Sequence, residues 1–440
     1  MTDTILTDTD WSFSRKAWFR FFCCFFILYT LPFIYLPFIY TITALSEKVG
    51  TLYGSIDELV ANGWHWLIPK VGSNVLHLKQ PITIFTNGSG DTTYDYVLLL
   101  TQVCLAAIFS VIWGILDRNR KSYNTFYHWL RVFLRYYLAY VMLSYGFNKV
   151  YHLQMPYPSL RRLTQPYGNS SPMGLIWTYV GASKSFSIFT GWSEVVCGLL
   201  LFFRRTKVLG ILLSLVVMGN VVIINFCYDV PVKLYSSMLE IMALYLAWPY
   251  LKKLFNIFVL HRQDSIARTF PVITNRKLNI FLKIIKWIFI IDCLVSNIIS
   301  SINQSKQYGD DAVKVPLYGI YTMNSIIKNK EPFVPLMTDT VMWKRFIIEV
   351  KDRSFVTYVN DSSRYYNYTI DTVMKKISFY PEWDTINKHN FIYTLHNNDL
   401  SLQGTYKSDS LIIQYKRTDR NDYRLMNRGF HWINEFPFNR

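Results

Sequence analysis

Four apolar runs between residues 131 and 251 decide the fold: FLRYYLAYVMLSYGFNK at 133–149, FTGWSEVVCGLLLFF at 189–203, VLGILLSLVVMGNVVIINF at 208–226 and LYSSMLEIMALYLAWPYL at 234–251. Each run is about 15–20 residues long, which is close to the length of helix that crosses a hydrocarbon core of roughly 30 Å. The stretch therefore predicts four membrane-spanning helices that pack into a bundle.

Polar side chains lie within these runs. Lys149 ends the first run, Glu194 lies in the second and Glu240 lies in the fourth. Because an ionisable group at this depth costs about 2.5 kcal/mol or more, we expect all three to face the interior of the bundle. Asn220 and Asn225 lie in the third run, about 140° apart around a helix, so they do not share one narrow face.

Small and acidic residues in the bundle form a recognisable pattern. It consists of Gly146-x-x-Lys149, Gly191-x-x-Glu194-x-x-x-Gly198-Leu-Leu-Leu-Phe-Phe, Arg204-Arg205-Thr206 and Leu209-Gly210. This pattern, within residues 131–250, resembles the four-helix core of the DoxX-like membrane proteins. That family includes subunits of quinone-linked sulfur oxidoreductases and is more distantly similar to the vitamin K-dependent gamma-carboxylases.

The resemblance implies a role for Lys149. In the gamma-carboxylases, a lysine after a similar Gly-x-x pattern is the base that deprotonates vitamin K hydroquinone, and Lys149 occupies the corresponding place. The family thus implies a bundle that handles a quinone or similar amphipathic molecule, with Lys149 and Glu194 as catalytic residues. The resemblance is confined to the bundle and does not extend to the other domains of the carboxylases.

The residues alone leave three interpretations of Lys149 and Glu194. If the two side chains touch, they form a structural ion pair. If Lys149 is desolvated without a close carboxylate, its lowered pKa makes it a base toward a quinol or another weak acid. In the third interpretation, the lysine stem extends along apolar surface and its ammonium reaches the membrane interface.

The loop at 151–186 contains four prolines, so it does not form one continuous helix. It also carries Arg161 and Arg162. In one interpretation the loop is a re-entrant lid over the outer mouth of the bundle, and the two arginines bind a phosphate, a carboxylate or an acidic partner. In the other, they pair with phospholipids of the outer leaflet.

A short turn after the third run places Asp229 and Lys233 on either side of Val-Pro-Val. Their ordinary role is in the turn and in capping the next helix. In a functional interpretation they line a polar pocket beneath the loop, together with Asn220 and Asn225.

Composition narrows the class of protein. The chain is 51% hydrophobic, 17% aromatic and 17% charged, which is typical of a membrane protein with interfacial aromatic residues. The net charge of +17 arises from basic clusters beside apolar runs, where such residues set topology and contact anionic lipids. We expect no nucleic-acid partner, because no basic helix carries interleaved aromatics, and no metal site, because no His/Asp/Glu set has helical ligand spacing.

Three further apolar runs, at 21–45, 96–116 and 280–302, raise the predicted number of spans to seven. With the N-terminus in the cytoplasm, most basic clusters fall on the inner side, as the positive-inside rule requires. This orientation places segments 46–94 and 151–186, and all residues after about 303, outside. We therefore predict a multi-pass protein of the bacterial inner membrane.

After residue 303 the apolar residues begin to alternate. Strand candidates lie at 346–350, 355–359, 366–370, 376–379, 391–395, 400–403 and 411–415. Turn residues separate them at 352–353, 397–399 and 407–409. Short strands at this spacing predict a small antiparallel barrel or sandwich.

The predicted fold is an α-helical transmembrane bundle of about seven spans with a DoxX-like four-helix core, followed by an all-β extracytoplasmic domain. Its divisions are a two-span region (1–130), the four-helix core (131–251), a basic connector with the last span (252–303) and the β domain (304–440).

Two functional hypotheses follow. In the first, the bundle binds a quinone or similar amphipathic molecule near the outer leaflet and supports quinone-linked redox chemistry. In the second, the protein is a non-enzymatic membrane anchor or assembly protein. Its exterior β domain then binds a lipid or a partner protein.

Overall fold

The structure is a computed structural model that describes residues 4–5, 10–31, 47–84, 88–263, 269–270, 275–384, 388–406 and 409–439. It divides into two compact units. The first comprises Met1–Gln154 and Ser185–Gln304, and the second comprises Met155–Lys184 and Ser305–Arg440. Most of the loop predicted at 151–186 therefore groups with the C-terminal part of the chain.

The described helices are α1 (Phe13–Thr30), α2 (Glu47–Lys70), α3 (Thr93–Leu116), α4 (Asn124–Val150), α5 (Leu160–Thr164), α6 (Pro172–Gly181), α7 (Lys184–Phe202), α8 (Lys207–Cys227), α9 (Lys233–Phe258), α10 (Arg276–Tyr308) and α11 (Arg424–Asn427). Helices α1 to α4 and α7 to α10 build the first unit, and α7 begins and α10 ends at its boundary. Helices α5, α6 and α11 belong to the second unit.

Among the described residues, three helices are long and apolar enough to cross a membrane: α3, α7 and α8. They coincide with the runs predicted at 96–116, 189–203 and 208–226. The predicted count of seven spans is not supported. The run at 133–149 lies in α4, which contains buried Arg135 and Lys149, and residues 32–45 of the run at 21–45 lie outside the described part of the chain.

The segment predicted as an external loop at 46–94 contains long helical structure. Helix α2 fills about half of it and passes into a π-helical turn at Val71–Val75. Helix α3 then begins with a capping box, in which the Thr92 side chain accepts from the Asp95 backbone and the Asp95 carboxylate accepts from the Thr92 backbone. Such caps satisfy N–H groups that have no partner within the helix.

The first unit packs around α4. Its apolar core includes fully buried Leu134, Leu138 and Leu143. Rings of the N-terminal part join the same core, and Phe19 stacks on Tyr123 with 5.2 Å between ring centroids. The core therefore holds α4 at the centre of the helical unit.

The described strands are β1 (Thr4–Ile5), β2 (Thr269–Phe270), β3 (Gly319–Lys328), β4 (Glu331–Pro332), β5 (Trp343–Val350), β6 (Arg353–Tyr358), β7 (Ser363–Asp371), β8 (Lys376–Pro381), β9 (His389–His396), β10 (Asp399–Tyr406) and β11 (Asp409–Thr418). Strands β1 and β2 form a short parallel pair. Strands β5 to β11 pair antiparallel in chain order, β3 pairs with β5, and β11 returns to pair with β3. These pairings close an eight-stranded antiparallel barrel, and β4 extends β3 at its edge.

The closed barrel confirms the predicted β domain and selects the barrel over the sandwich. Seven of its strands, β5 to β11, coincide with the seven predicted strand candidates, apart from Val359, which follows the end of β6. The sequence interpretation missed β3, the strand that closes the barrel. Part of the predicted turn at 407–409 lies outside the described residues.

Aromatic rings fill the interior of the barrel. Phe346 lies at its centre and is 0% exposed. It stacks on Tyr321 at 4.7 Å and meets Tyr415 edge-on at 4.9 Å, as measured between ring centroids. An eight-stranded barrel is narrow enough for side chains to fill it, and here they build a second hydrophobic core.

The segment 155–184 folds as short helices, as its prolines predict. Ser159 begins α5 by accepting the Arg162 amide at 3.2 Å. Leu160 is fully buried in a small cluster with Tyr318, Ile320 and Ile347 of the same unit. The Leu160 amide also donates to both carboxylate oxygens of Glu349, at 2.9 and 3.0 Å. Main-chain and apolar contacts thus fix the start of this segment against β5.

Candidate functional site

Helices α4 and α7 approach each other at their glycines. A Cβ atom at Gly191 would lie 2.7 Å from the carbonyl oxygen of Gly146, and one at Gly146 would lie 2.9 Å from the carbonyl oxygen of Gly191. Two turns away along the same crossing, a Cβ at Gly198 would lie 2.9 Å from the Ala139 carbonyl oxygen. Small residues allow helix backbones to touch in this way. The glycines of the sequence pattern, Gly146, Gly191 and Gly198, therefore allow α4 and α7 to cross in close contact.

The close crossing brings Lys149 and Glu194 together. The Lys149 ammonium donates to the Oε1 atom of Glu194, and the side chains are only 9% and 3% exposed. Ser187 Oγ donates to the Lys149 carbonyl oxygen at 2.9 Å and adds a second link between the two helices. The prediction that both charges face inward is confirmed. The contact is the ion pair of the first interpretation, and it excludes both a lysine without a close carboxylate and a lysine that reaches the interface.

The ion pair engages only one of the two carboxylate oxygens of Glu194. Glu194 Oε1 is occupied by Lys149, whereas buried Glu194 Oε2 has no hydrogen-bond partner within the described part of the protein. A buried carboxylate oxygen without a partner carries a desolvation cost of about 1–3 kcal/mol or more. This oxygen keeps its capacity to accept a hydrogen bond.

The two asparagines of α8 have different surroundings, as their spacing predicts. Asn225 is buried and its amide donates to Ser236 Oγ on α9 at 3.0 Å. Asn220 is exposed. The structure therefore gives Asn225 a contact that joins two helices and does not bring Asn220 to the same place.

Asp229 and Lys233 form an ion pair of 2.8 Å on the turn between α8 and α9. Lys233 also lies 3.6 Å from Asp91. The residue that caps α9 is Asp91, whose carboxylate accepts the amides of Lys233 and Leu234 at 2.8 and 2.9 Å. Sequence reasoning missed Asp91, because nothing local links it to a helix that begins more than a hundred residues later.

Arg161 and Arg162 contact residues of the second unit, to which they belong. The Arg161 guanidinium donates to the hydroxyl of Tyr365 and lies 5.1 Å from the ring centroid of Phe355. Arg162 donates to Gln165 Oε1 at 2.9 Å. Both line a cleft of about 280 Å³ between α5 and the outer surface of the barrel.

Glu349 lies in the wall of this cleft. Burial raises the pKa of its carboxyl group, and the Leu160 amide and Arg420 act in the opposite direction. Arg420 lies 3.6 Å from the carboxylate. The only carboxylate that lines the cleft, among the described residues, is therefore engaged in holding α5.

Neither unit offers a metal centre within the residues described here. No group of three or more His, Cys, Asp or Glu side chains among them is arranged to hold an ion.

Comparisons with known proteins give one partial similarity. No protein-family model matches the chain, and no solved structure matches it. A region of the chain is 35% identical over 92 residues to the uncharacterized protein YwoB of Bacillus subtilis. The matched region is 21% of this chain and covers 58% of YwoB, little more than half of that relative. This similarity carries no statement about activity, and the resemblance to DoxX-like proteins stays a prediction.

Proposed function

We propose that the protein is a multi-pass membrane protein whose helical unit exchanges protons with a quinone or a similar amphipathic molecule at Lys149 and Glu194. The observation that carries this proposal is the buried ion pair with one unpartnered carboxylate oxygen. A hydroxyl group of the guest fits that oxygen as a hydrogen-bond donor.

The chemistry of the pair supports proton exchange. In a medium of low dielectric constant, desolvation opposes both charges, so the neutral amine and acid become accessible alternatives to the ammonium and carboxylate. Transfer of the shared proton from Lys149 to Glu194 leaves an amine that accepts a proton from a weak acid. Loss of the proton held by Glu194 to water then restores the ammonium and the carboxylate, and the weak acid has become its conjugate base. A bound quinone would supply the electron chemistry.

The membrane arrangement is part of the same proposal. The three helices α3, α7 and α8 have the length and apolar composition of spans, and we propose that further helices of the first unit accompany them, up to the predicted seven. The basic clusters beside these helices favour a cytoplasmic N-terminus in a bacterial inner membrane. The barrel would then lie outside the cytoplasm.

The experiment is mass spectrometry of quinones extracted from the full-length protein after purification in a mild detergent. We expect the wild type to retain quinone, and the double variant Lys149→Met/Glu194→Met to lose it while remaining folded. Gly219→Ala, a change in α8 where a new Cβ has room, is the control and should retain it. A wild type without quinone, or a folded double variant that keeps it, would contradict the proposal.

A second candidate function is that of a membrane anchor whose β domain binds a lipid or a partner protein. The cleft beside Arg161 and Arg162 favours it, because it lies against the outer surface of the barrel. Here the Lys149–Glu194 pair serves only to join α4 and α7. The same double variant separates the two candidates, because an anchor should keep its cellular function when both charges are replaced. Arg161→Ala should then impair that function.

A further inference from the structure

A large cavity in the first unit is lined by neither Lys149 nor Glu194. Its volume is about 1130 Å³, and its walls come from α1, α4, α8, α9 and α10 together with the turn before α8. Ligand pockets usually have volumes of about 300–1,000 Å³, so this cavity has room for more than an inorganic ion.

The polar part of the wall is positively charged. Its cations are Arg131, Arg135, Arg204, Lys207, Lys283 and Lys286, and no Asp or Glu is among the described residues that line it. Six like charges brought together repel one another unless an anion lies between them. The cavity therefore combines a cationic region with walls that are largely aliphatic and aromatic.

Arg135 points to a ligand most directly. It is 7% exposed, and its Nε atom has no hydrogen-bond partner within the described part of the protein. Its guanidinium lies 5.2 Å from the ring centroid of Tyr136. The face of the Tyr136 ring orients the guanidinium but does not neutralise its charge. N–H groups of Arg135 therefore remain available to a bound ligand.

Arg131 is held in a similar way. It donates to the carbonyl oxygen of Leu246 at 2.9 Å and lies 5.1 Å from the ring centroid of Tyr250, while its Nε atom has no partner among the described residues. The carbonyl and the ring fix the direction of the guanidinium and leave its charge in place. Two pre-oriented guanidiniums one helical turn apart suit the oxygens of a phosphate group.

The surroundings of His128 agree with a positive local field. Burial and the neighbouring cations, Lys207 first, lower the pKa of His128 to about 4. His128 is therefore neutral at physiological pH, and an anion placed in the cavity would raise its pKa.

We infer that this cavity is a binding site for an anionic phospholipid, whose headgroup carries a phosphate and a net negative charge. The arginines and lysines contact the phosphate, and the acyl chains lie against the apolar wall formed by residues such as Phe133 and Phe289. Basic pockets between membrane helices bind anionic lipid headgroups in this manner. The site is independent of the Lys149–Glu194 pair and of the function proposed for it.

The test is a titration of delipidated full-length protein in detergent, followed by native mass spectrometry. We expect phosphatidylglycerol to bind with 1:1 stoichiometry and about tenfold or more tightly than phosphatidylcholine, because the six cations of the wall repel the choline cation. Inorganic phosphate at millimolar concentration should not displace it. Equal binding of the two lipids, or full displacement by phosphate, would overturn the assignment to an anionic lipid.

Variants locate the binding site. Arg135→Gln and Lys286→Gln should each weaken binding of phosphatidylglycerol by about tenfold. Lys286 is only partly buried, so its variant gives an answer even if Arg135→Gln fails to fold. Lys252→Gln removes an exposed cation outside the cavity and is the matched control. If both cavity variants bind as the wild type does, or if the control loses as much affinity, the inference is wrong.

Discussion

The carbonyl oxygen of Gly146 lies 2.7 Å from the position that a Cβ atom of residue 191 would occupy. A carbon atom cannot approach an oxygen so closely without strain, so any side chain at 191 forces α4 and α7 apart. We expect Gly191→Ala to lower the free energy of unfolding by about 1–3 kcal/mol, the usual cost of overpacking. Unfolding in detergent with a denaturant gradient measures this loss.

Gly219→Ala is the matched control for that prediction. It also places a methyl group within a helix of the first unit, but its nearest neighbour is Glu240 Oε1 at 3.8 Å. Alanine forms helix more readily than glycine, by roughly 1 kcal/mol, so the control should be neutral or stabilising. Equal destabilisation by the two variants would show that the glycine crossing has no special role.

The Lys149–Glu194 pair predicts strong coupling between substitutions. Removing one partner leaves the other charge buried and unpaired, so Lys149→Met or Glu194→Met alone should cost about 3–5 kcal/mol of stability. The double variant should be close to the wild type, because two apolar side chains replace the pair. A double-mutant cycle of unfolding free energies measures the coupling. Additive losses would mean that the two residues do not act together.

The sequence was sufficient to predict that Lys149 and Glu194 face inward, but not that they touch. Their contact depends on how far α4 and α7 rotate and approach, which Gly146 and Gly191 set through backbone packing. The contact of Arg161 could not be predicted from the sequence either. Its partner Tyr365 is 204 positions away along the chain, and no local pattern relates them.

Strand β3 escaped prediction because its burial does not alternate. Neighbouring Ile320 and Tyr321 are both fully buried. Tyr321 points into the core of the barrel, whereas Ile320 packs outside it with Leu160. A strand covered on both faces loses the period of two that identifies half-buried strands. Strand β5 is also covered on both faces, with Phe346 and Ile347 both buried, but its consecutive apolar residues identified it. In β3, Asn324 and Ser325 interrupt such a run.

Phe346 should be essential to the barrel. It is fully buried among Tyr321, Phe379 and Tyr415, so Phe346→Ala should destabilise the barrel by about 3–5 kcal/mol. Hydrogen exchange of the strand amides in the full-length protein measures the effect where it occurs. Ile392→Ala is the control, because Ile392 is 51% exposed on β9, and its amides should keep their protection. Unchanged exchange in Phe346→Ala would contradict the role of the aromatic core.

The closing seam of the barrel should respond to acid through Asp409. Its carboxylate forms a 2.8 Å ion pair with Lys328 across β11 and β3 and accepts from the Asn329 amide at 2.9 Å. These two bonds, with Lys328 first, hold the pKa of Asp409 below its ordinary value of 3.8. The unfolded chain therefore binds the proton at a higher pH than the folded one does. The contribution of Asp409 to stability is complete well above pH 3.8 and is lost as the pH falls through the lowered pKa.

Asp409→Asn tests this pH dependence. At neutral pH the variant should expose the β3 and β11 amides to exchange more than the wild type does, and the difference should shrink as the pH is lowered below 3.8. High salt should also reduce the difference, because the ion pair is at the surface. Asp399→Asn removes an exposed carboxylate at the start of β10 that forms no ion pair among the described residues, and it should not change the acid response. A constant difference between Asp409→Asn and the wild type across this pH range would show that Asp409 stabilises the seam by its shape and not by its charge.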